Sequence, residues 1–327
     1  MAYDVITIGD AVKDTFIKPC STHFCSLQIN MHGESLCLRH GDKISVDEIS
    51  YGIGGSAANV AVGLSRLGLK TAMIGAVGDD VVANEIISEL SKENVATTWL
   101  KKYKGVMTSA SIIVIFNSER TIFVYRGFKD YHKTVIPKNI NTNWIYLGPA
   151  VNEISRIYSN LIGLASEKNV KIAINPSSRQ IEQGKSDLLR IIKVAKLIIL
   201  NKQEAIDLTV SSKFVEIKKL LLVLKSYGPE IVVVTDGKNG AYSCDDNNQF
   251  GIKIFPTKKL IDPTGAGDAF STGFLANYAK NSDVGQALRW GIINSSRVIE
   301  QYGAQTNLQT RIQIEKSLEY APHLYKL

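Results

Sequence analysis

The nine residues Asp262-Pro263-Thr264-Gly265-Ala266-Gly267-Asp268-Ala269-Phe270 set two glycines and an acid directly ahead of an apolar run from Ala269 to Tyr278. That run reads as a helix, so the glycine loop becomes a helix start whose first N–H groups have no intrahelical acceptor. Such a start suits an anion, and a carboxylate beside it is electrostatically favoured. A phosphate held by the glycines would bring negative charge close to Asp268. Oxyanion donors gathered next to a proton acceptor are what phosphoryl transfer to a hydroxyl requires. The plain alternative is a glycine turn with an acidic helix cap.

Three further groupings could carry chemistry. Asn201 and Glu204 lie three apart at the start of a predicted helix and share a face. Taken alone, they read as a helix cap with Glu204 completing a capping box. Thr235, Gly237 and Gly240 sit just past a buried strand, where an α/β fold places its ligands, although a plain β-turn has the same composition. Gly52-Ile53-Gly54-Gly55-Ser56-Ala57 fits G-x-G-x-x-A, with Asp79 and Asp80 following a later strand. That fingerprint would imply an NAD-dependent enzyme, but it does not follow the first strand and leaves the second glycine loop unexplained. No G-K-[ST] follows any glycine cluster, which excludes a Walker-type loop.

The elements that must position these residues alternate. Residues 4–9, 71–77, 144–148, 170–174, 196–200 and 231–235 read as strands buried on both faces. Helix-period apolar positions fill 57–67, 83–93, 154–168 and 214–227, and the chain turns helical after Asp268, through 283–299 and 310–319. This alternation predicts βαβ units and a mostly parallel sheet between helices. Residues 11–52 and 107–128 break the rhythm as extended, half-exposed strands, the second a hairpin around Asn117-Ser118-Glu119. Thr15 to His40 carries no readable local pattern.

A chain of 327 residues, 45% hydrophobic, can bury a substantial core. The net charge of +7 is scattered rather than gathered into a stripe, so no nucleic-acid partner is expected. MAYDVITIGD runs straight into a strand, and no apolar run approaches membrane-spanning length, which predicts a cytoplasmic protein with no membrane partner. Cys20, His23, Cys25, His32, Cys37 and His40 crowd one segment, yet no pair has zinc-knuckle spacing, so reduced thiols are expected.

The stretch DPTGAGDAF resembles the C-terminal signature of the ribokinase (PfkB) family of sugar and nucleoside kinases. GDAVKD at 9–14, GGSAANVAVGLSRLG at 54–68, NKQE at 201–204 and TDGKNG at 235–240 match further family segments. All five occur in the family's order and near its spacing, so the resemblance covers nearly the whole chain. It implies a single ribokinase-like α/β/α domain over 1–327, with a β lid from 11–52 and 107–128. The implied activity is ATP-dependent phosphorylation of a primary hydroxyl of a sugar, with a nucleoside as the alternative acceptor. Magnesium is implied as cofactor, and a monovalent cation is left open.

Residue by residue, Asp268 matches the family's general base, and Gly265, Ala266 and Gly267 its anion hole. Pro263 replaces a common threonine, which leaves the donors at 265–268 intact. Asn201 and Glu204 match the NxxE pair that acts on magnesium and phosphates, Glu204 through water. Thr235, Gly237 and Gly240 resemble the ATP-pocket loop, and Asn294 is expected to face the nucleotide. Asp14 matches the aspartate that takes a pair of substrate hydroxyls, while Gly54, Gly55 and Asn59 match the sugar-side signature. Ser56 stands where ribokinases proper carry lysine. Arg126 and Lys129, after the second lid strand, either add positive charge over the site or stand as solvated lid charges, the commoner case, and Asn175 and Arg179 partly match a D-x-N-x-R pattern of some sugar kinases. Paired lids imply a homodimer through 11–52 and 107–128. A catalytically dead sugar-binding module would require damage at Asp268 or the anion hole, and neither is damaged.

Overall fold

The computed structural model describes residues 2–19, 25–30, 33–38, 40–116, 119–128, 136–137, 139–149, 155–209 and 216–327. Its largest sheet has ten strands. The first strand, Tyr3–Ile8, lies between Thr142–Leu147 and Thr71–Gly78 and runs parallel to both. Beyond Thr142–Leu147 follow Lys171–Ile174, Leu197–Asn201 and Ile231–Thr235, all parallel. Ala241–Cys244, Gln249–Ile252 and Tyr325–Lys326 complete that side as antiparallel strands, and Val95–Tyr103 closes the other edge in parallel.

Strand alternation explains the layers. Ile6 and Ile8 point into a core shared with Leu161, Leu188, Leu208 and Leu220, from helices on one face. Val5, Trp144, Tyr146 and Val233 point the other way, against Val60, Leu64, Phe270 and Phe274. Both faces are therefore apolar, as a covered parallel sheet demands. Each fully buried Ile, Leu or Phe contributes about 1.5–3 kcal/mol relative to exposure.

The helix Ser56–Arg66 and the helix Ala266–Asn281 pack closely on that second face. A Cβ on Gly63 would stand 2.5 Å from the Thr272 side chain, so the glycine sets how near the two helices come. This approach lays the starts of both helices side by side at one end of the sheet.

A smaller sheet of four strands projects from the body in the order Val46–Gly54, Val12–Pro19, Ala110–Phe116, Glu119–Tyr125. These strands fall within or beside the two segments expected to form a lid. Asp14 pairs with Gly52 on one side and Ser111 on the other, so all three share a face. On the same face Phe16, Ile113 and Ile115 pack with Tyr302 and tie the lid to the body. Within the stretch that carried no local pattern, Cys25–Asn30 and Gly33–Leu38 form a separate two-stranded hairpin. The expected turn at Asn117-Ser118 lies outside the described residues, though the strands flanking it pair as a hairpin should. Among the described residues no helix is long and apolar enough to cross a membrane.

Candidate active site

The signature loop is shaped by Asp262, which is 1% exposed. Its carboxylate accepts from the Thr264 N–H at 2.9 Å, the Thr264 hydroxyl at 2.5 Å and the Gly303 N–H at 3.0 Å. The loop then turns at Gly265, which has φ 78° and caps the helix Ala266–Asn281. A Cβ there would meet the Ala304 Cβ at 2.5 Å, so both conformation and space require glycine. Ala266 N–H reaches Pro263 O at 3.3 Å. The N–H groups of Gly267 and Asp268 have no partner among the described residues, the expected state of a helix's first turn and a ready anion site.

Asp268 sits on that first turn. The helix beside it presents two donors to its carboxylate: Ser56 Oγ to Oδ1, and Asn59 Nδ2 to Oδ2 at 2.7 Å. Asn59 is held in turn by Gln305 Nε2, which donates to its Oδ1 at 2.9 Å. Burial pushes the Asp268 carboxyl above the usual carboxylate range, and the bonds from Asn59 and Ser56 pull it back. A carboxylate made more basic by burial and steadied by two donors suits the part of a general base.

Asp14 faces the same space from the lid and is 6% exposed. Desolvation pushes its carboxyl up to about 6; a Ser111 hydrogen bond opposes this, and the charges of Asp262 and Asp268 add to it. Gly54 leaves room for it, because a Cβ there would lie 2.0 Å from Asp14 Oδ2. Gly55, at φ 92°, passes so near Asp10 that a Cβ would meet its carbonyl oxygen at 2.3 Å.

The sign of the Asp14 shift yields a prediction. The folded carboxyl is raised above its unfolded value, so the native state binds the proton more tightly between that value and about 6. Stability is lost as pH rises through this window, and at neutral pH the buried charge costs its full amount. Asp14→Asn should therefore raise Tm at neutral pH while raising the acceptor KM. In the native enzyme kcat/KM for the acceptor should fall as pH drops through about 6, because the protonated acid accepts fewer hydroxyls. A variant with lower Tm and unchanged acceptor KM would show Asp14 to be structural.

Across the signature loop lies a cavity of about 370 Å³ lined by Thr235, Gly237, Gly240, Ala266, Gly267 and Phe270, among others. The structure thus gathers the Thr235–Gly240 turn and the helix start around one largely apolar pocket. Gly240, at φ 100°, closes that turn by accepting from the Asp236 N–H at 2.8 Å. Lys202 pairs with Asp236 at 2.9 Å beside it.

Other expected residues are engaged elsewhere. Asn294 is wholly buried; its amide donates to Ala269 O at 2.8 Å and accepts from Gln309 N–H at 3.0 Å. Its neighbours Ser295 and Ser296 line the cavity in its place. Asn201 and Glu204 cap one another reciprocally, each side chain accepting from the other's N–H at 2.9 Å. Burial raises the Glu204 carboxyl above its ordinary value. Asn175 donates to Ile199 O at 2.8 Å, which serves the sheet, and Arg179 stands exposed on the next helix. Arg126 lies 3.8 Å from Asp10 at the rim of the site. Lys129, Cys20, His23 and His32 lie outside the described residues, and among those described no cluster of acids, His and Cys could hold a metal.

The dinucleotide reading does not survive this geometry. Gly52 and Gly54 belong to a lid strand, and Asp80 caps the helix Val81–Lys92 while accepting from Thr108 N–H and Oγ, both at 2.7 Å. Sequence reasoning overlooked Gln305, Ser111 and Tyr146. Tyr146 is fully buried on the sheet, close enough to Ser56 to bond it, and burial raises its phenol far above normal. Ser111 could have been found from strand pairing with Asp14; Gln305 lies in GAQTNL at 303–308, a stretch that bears on a nucleoside acceptor but whose spacing does not point to Asn59.

Known proteins resemble this chain in sequence and in fold. A family model described as pfkB family carbohydrate kinase matches residues 26–311. A protein of Archaeoglobus fulgidus described as an uncharacterized sugar kinase is 30% identical over 253 residues, covering 76% of this chain and 98% of the relative. A nucleoside kinase of Methanocaldococcus jannaschii is 28% identical over 278 residues, 81% of this chain and 85% of that one. Among solved structures, Arabidopsis thaliana ribokinase complexed with ribose and ATP superimposes with a TM-score of 0.79 at 18% identity, over 98% of this chain and 100% of that one. Burkholderia thailandensis nucleoside kinase with inosine gives 0.78 at 20% identity, over 97% and 98% of the two chains. At these identities the superpositions speak for the fold; the family match, spanning most of the chain, speaks for more. The protein belongs to the pfkB family of carbohydrate kinases.

Proposed function

We propose that this kinase transfers the γ-phosphoryl group of ATP to a primary hydroxyl of a sugar, with Asp268 as general base. One observation carries the reading. The Asp268 carboxylate stands where the acceptor-side residues Ser56 and Asn59 meet the helix start that lines the apolar cavity. An acceptor held by Asp14 would place its hydroxyl near Asp268, which takes the proton as the oxygen attacks. The Gly265–Gly267 backbone offsets charge developing on the transferred group. The cavity beyond has the size and apolar lining for a nucleotide base.

The residues present also suit magnesium. Glu204 is held by the Asn201 backbone and its carboxyl is raised by burial, so a nearby cation would favour its ionised form. A hydrated ion fits such sparse ligation, with Asn201 and Glu204 binding through its waters and the ion neutralising phosphate charge. The whole chain, lid included, acts as one catalytic unit on this reading. It works in the cytoplasm, where ATP is abundant and thiols such as Cys244 stay reduced.

A nucleoside is the second reading, favoured by the lid itself. Ile122 and Val124 share the face of Asp14, two strands away, and are 42% and 49% exposed. An apolar ledge there could support a base. Coupled ADP release with pentoses, hexoses, keto-deoxy sugar acids and nucleosides decides between them. Turnover of sugars above nucleosides is expected, the reverse order selects the second reading, and silence across the panel from folded protein with magnesium overturns both.

We further propose that the lid pairs with a second copy. Its opposite face carries a registered row of Tyr51, Thr15, Ile112 and Phe123, in which Tyr51 is 65% and Phe123 56% exposed. Contiguous exposed apolar surface of this kind marks an interface, and a two-fold partner would cover it with itself. Light scattering at micromolar concentration should give twice the chain mass of 35.9 kDa. A clean monomer mass would refute the pairing and leave the kinase reading intact.

A further inference from the structure

We propose that Gln305 is a positioning residue for the catalytic base, acting through the amide of Asn59. The inference rests on Asp268 being that base. Asn59 has one carbonyl oxygen and one amino group at its tip, and both are engaged. Its Oδ1 accepts from Gln305 Nε2 at 2.9 Å, and its Nδ2 donates to Asp268 Oδ2 at 2.7 Å. Turned over, the amide would set its oxygen against the carboxylate, lone pair against lone pair. By donating to Asn59 Oδ1, Gln305 favours the orientation in which Nδ2 faces the carboxylate.

Gln305 is itself anchored from the same helix. Its carbonyl oxygen accepts from Arg66 Nη1 at 2.6 Å. Arg66 is fixed by a two-pronged pair with Glu93, Nε to Oε2 at 2.9 Å and Nη2 to Oε1 at 2.6 Å. That guanidinium holds the Glu93 carboxyl below its ordinary value, so the pair stays ionised at neutral pH. Asn59 and Arg66 are seven residues apart, about two turns, and so lie on one face of Ser56–Arg66. The helix therefore grips the loop after Tyr302 at two points: Arg66 sets the backbone, and Gln305 returns its side chain to Asn59. Asn294 fastens the same loop at Gln309 and ties it to Ala269, the residue after the base. Gln305 meets Asp268 only through Asn59, so it acts on the orientation and the proton affinity of the base.

Three substitutions separate orientation from packing and from charge. Leucine in Gln305→Leu removes the donor. The carboxylate in Gln305→Glu can only accept, so it draws Asn59 Nδ2 to itself and turns Oδ1 toward Asp268. Gln305→Lys keeps a donor. Rates are read with ATP and D-ribose, or with inosine where ribose is not turned over. The expected kcat falls about tenfold in Q305L and about 10²-fold in Q305E, and stays nearest native in Q305K. With Asn59 no longer held, its bond to the Asp268 carboxylate weakens, so the acid limb of kcat at saturating acceptor should move up in Q305L, while the limb of kcat/KM set by Asp14 should stay near 6. KM for ATP should not change. A purely packing role would make Leu and Lys the damaging replacements and leave the kcat limb in place. An effect of charge alone would leave Q305L native. Either result overturns the proposal.

Asp268→Asn run in parallel separates the two layers. Native kcat in D268N removes the base and this proposal with it. An inactive D268N alongside native rates and pH profiles in Q305L and Q305E removes the role of Gln305 alone. Where Q305L or Q305E fails to fold, native kcat in Q305K carries the expectation, and a tenfold loss there contradicts it. If neither acceptor is turned over, the crystal structure of Q305E decides: an Asn59–Asp268 contact kept at its native length contradicts the proposal, and a broken contact is expected.

Discussion

Asp268→Asn should fold, bind ATP, and turn over roughly 10²–10⁴-fold more slowly than the native enzyme, the usual range for removing a general base. The substitution keeps the shape of a side chain set between Ser56 and Asn59 on a helix start. It removes the charge that burial has made basic. The amide of the variant can accept from only one of the two neighbouring donors, so a modest loss of Tm is also expected. ATP affinity by calorimetry should hold, because the cavity wall and the Gly265–Gly267 backbone are untouched. Near-native kcat would remove Asp268 from the chemistry.

Gly54→Ala should be nearly as damaging through the acceptor. A methyl group there would lie 2.0 Å from Asp14 Oδ2 and 2.6 Å from its Cγ, well inside contact distance. Something must move, and Gly54 is held in register with Val12 on the neighbouring lid strand. The carboxylate of Asp14 is the softer part. Displacing a substrate-positioning group by about 1 Å can cost about 10²-fold, so kcat/KM for the acceptor should fall by that order. KM for ATP should stay level, since Gly54 lies on the lid, away from the residues lining the cavity. An unchanged acceptor kcat/KM would show that Asp14 does not hold the acceptor.

What could be read from the sequence divides along physical lines. The Gly265–Asp268 loop and Gly54-Gly55 were legible because their chemistry is carried by backbone that only glycine permits, and such residues announce themselves by type. The buried strands were legible because IVVVT or VITI has nothing polar to confuse the pattern. Edge elements were not. VATTWLKKY, Val95–Tyr103, alternates polar and half-buried residues at the sheet margin, and AYSC and QFGI are only four residues each. Among the described residues the strands Cys25–Asn30 and Gly33–Leu38 pair with each other and with no other strand, so the large sheet imposes no pattern on them. In the site, Asn294 carried the right side chain for a nucleotide, but the helix turns it inward to Ala269 and Gln309. Gln305 was hidden because the residue it bonds, Asn59, lies 246 positions away. No local spacing encodes such a pair.

The most direct measurement is ³¹P NMR of the product formed from ATP and the best acceptor of the panel. The expected signal is a phosphate monoester split into a triplet by two protons on the adjacent carbon, accumulating in step with ADP and absent with Asp268→Asn. A doublet from a secondary ester would contradict the primary hydroxyl as acceptor. ADP accompanied only by inorganic phosphate, whatever the acceptor, would contradict phosphoryl transfer to a hydroxyl altogether.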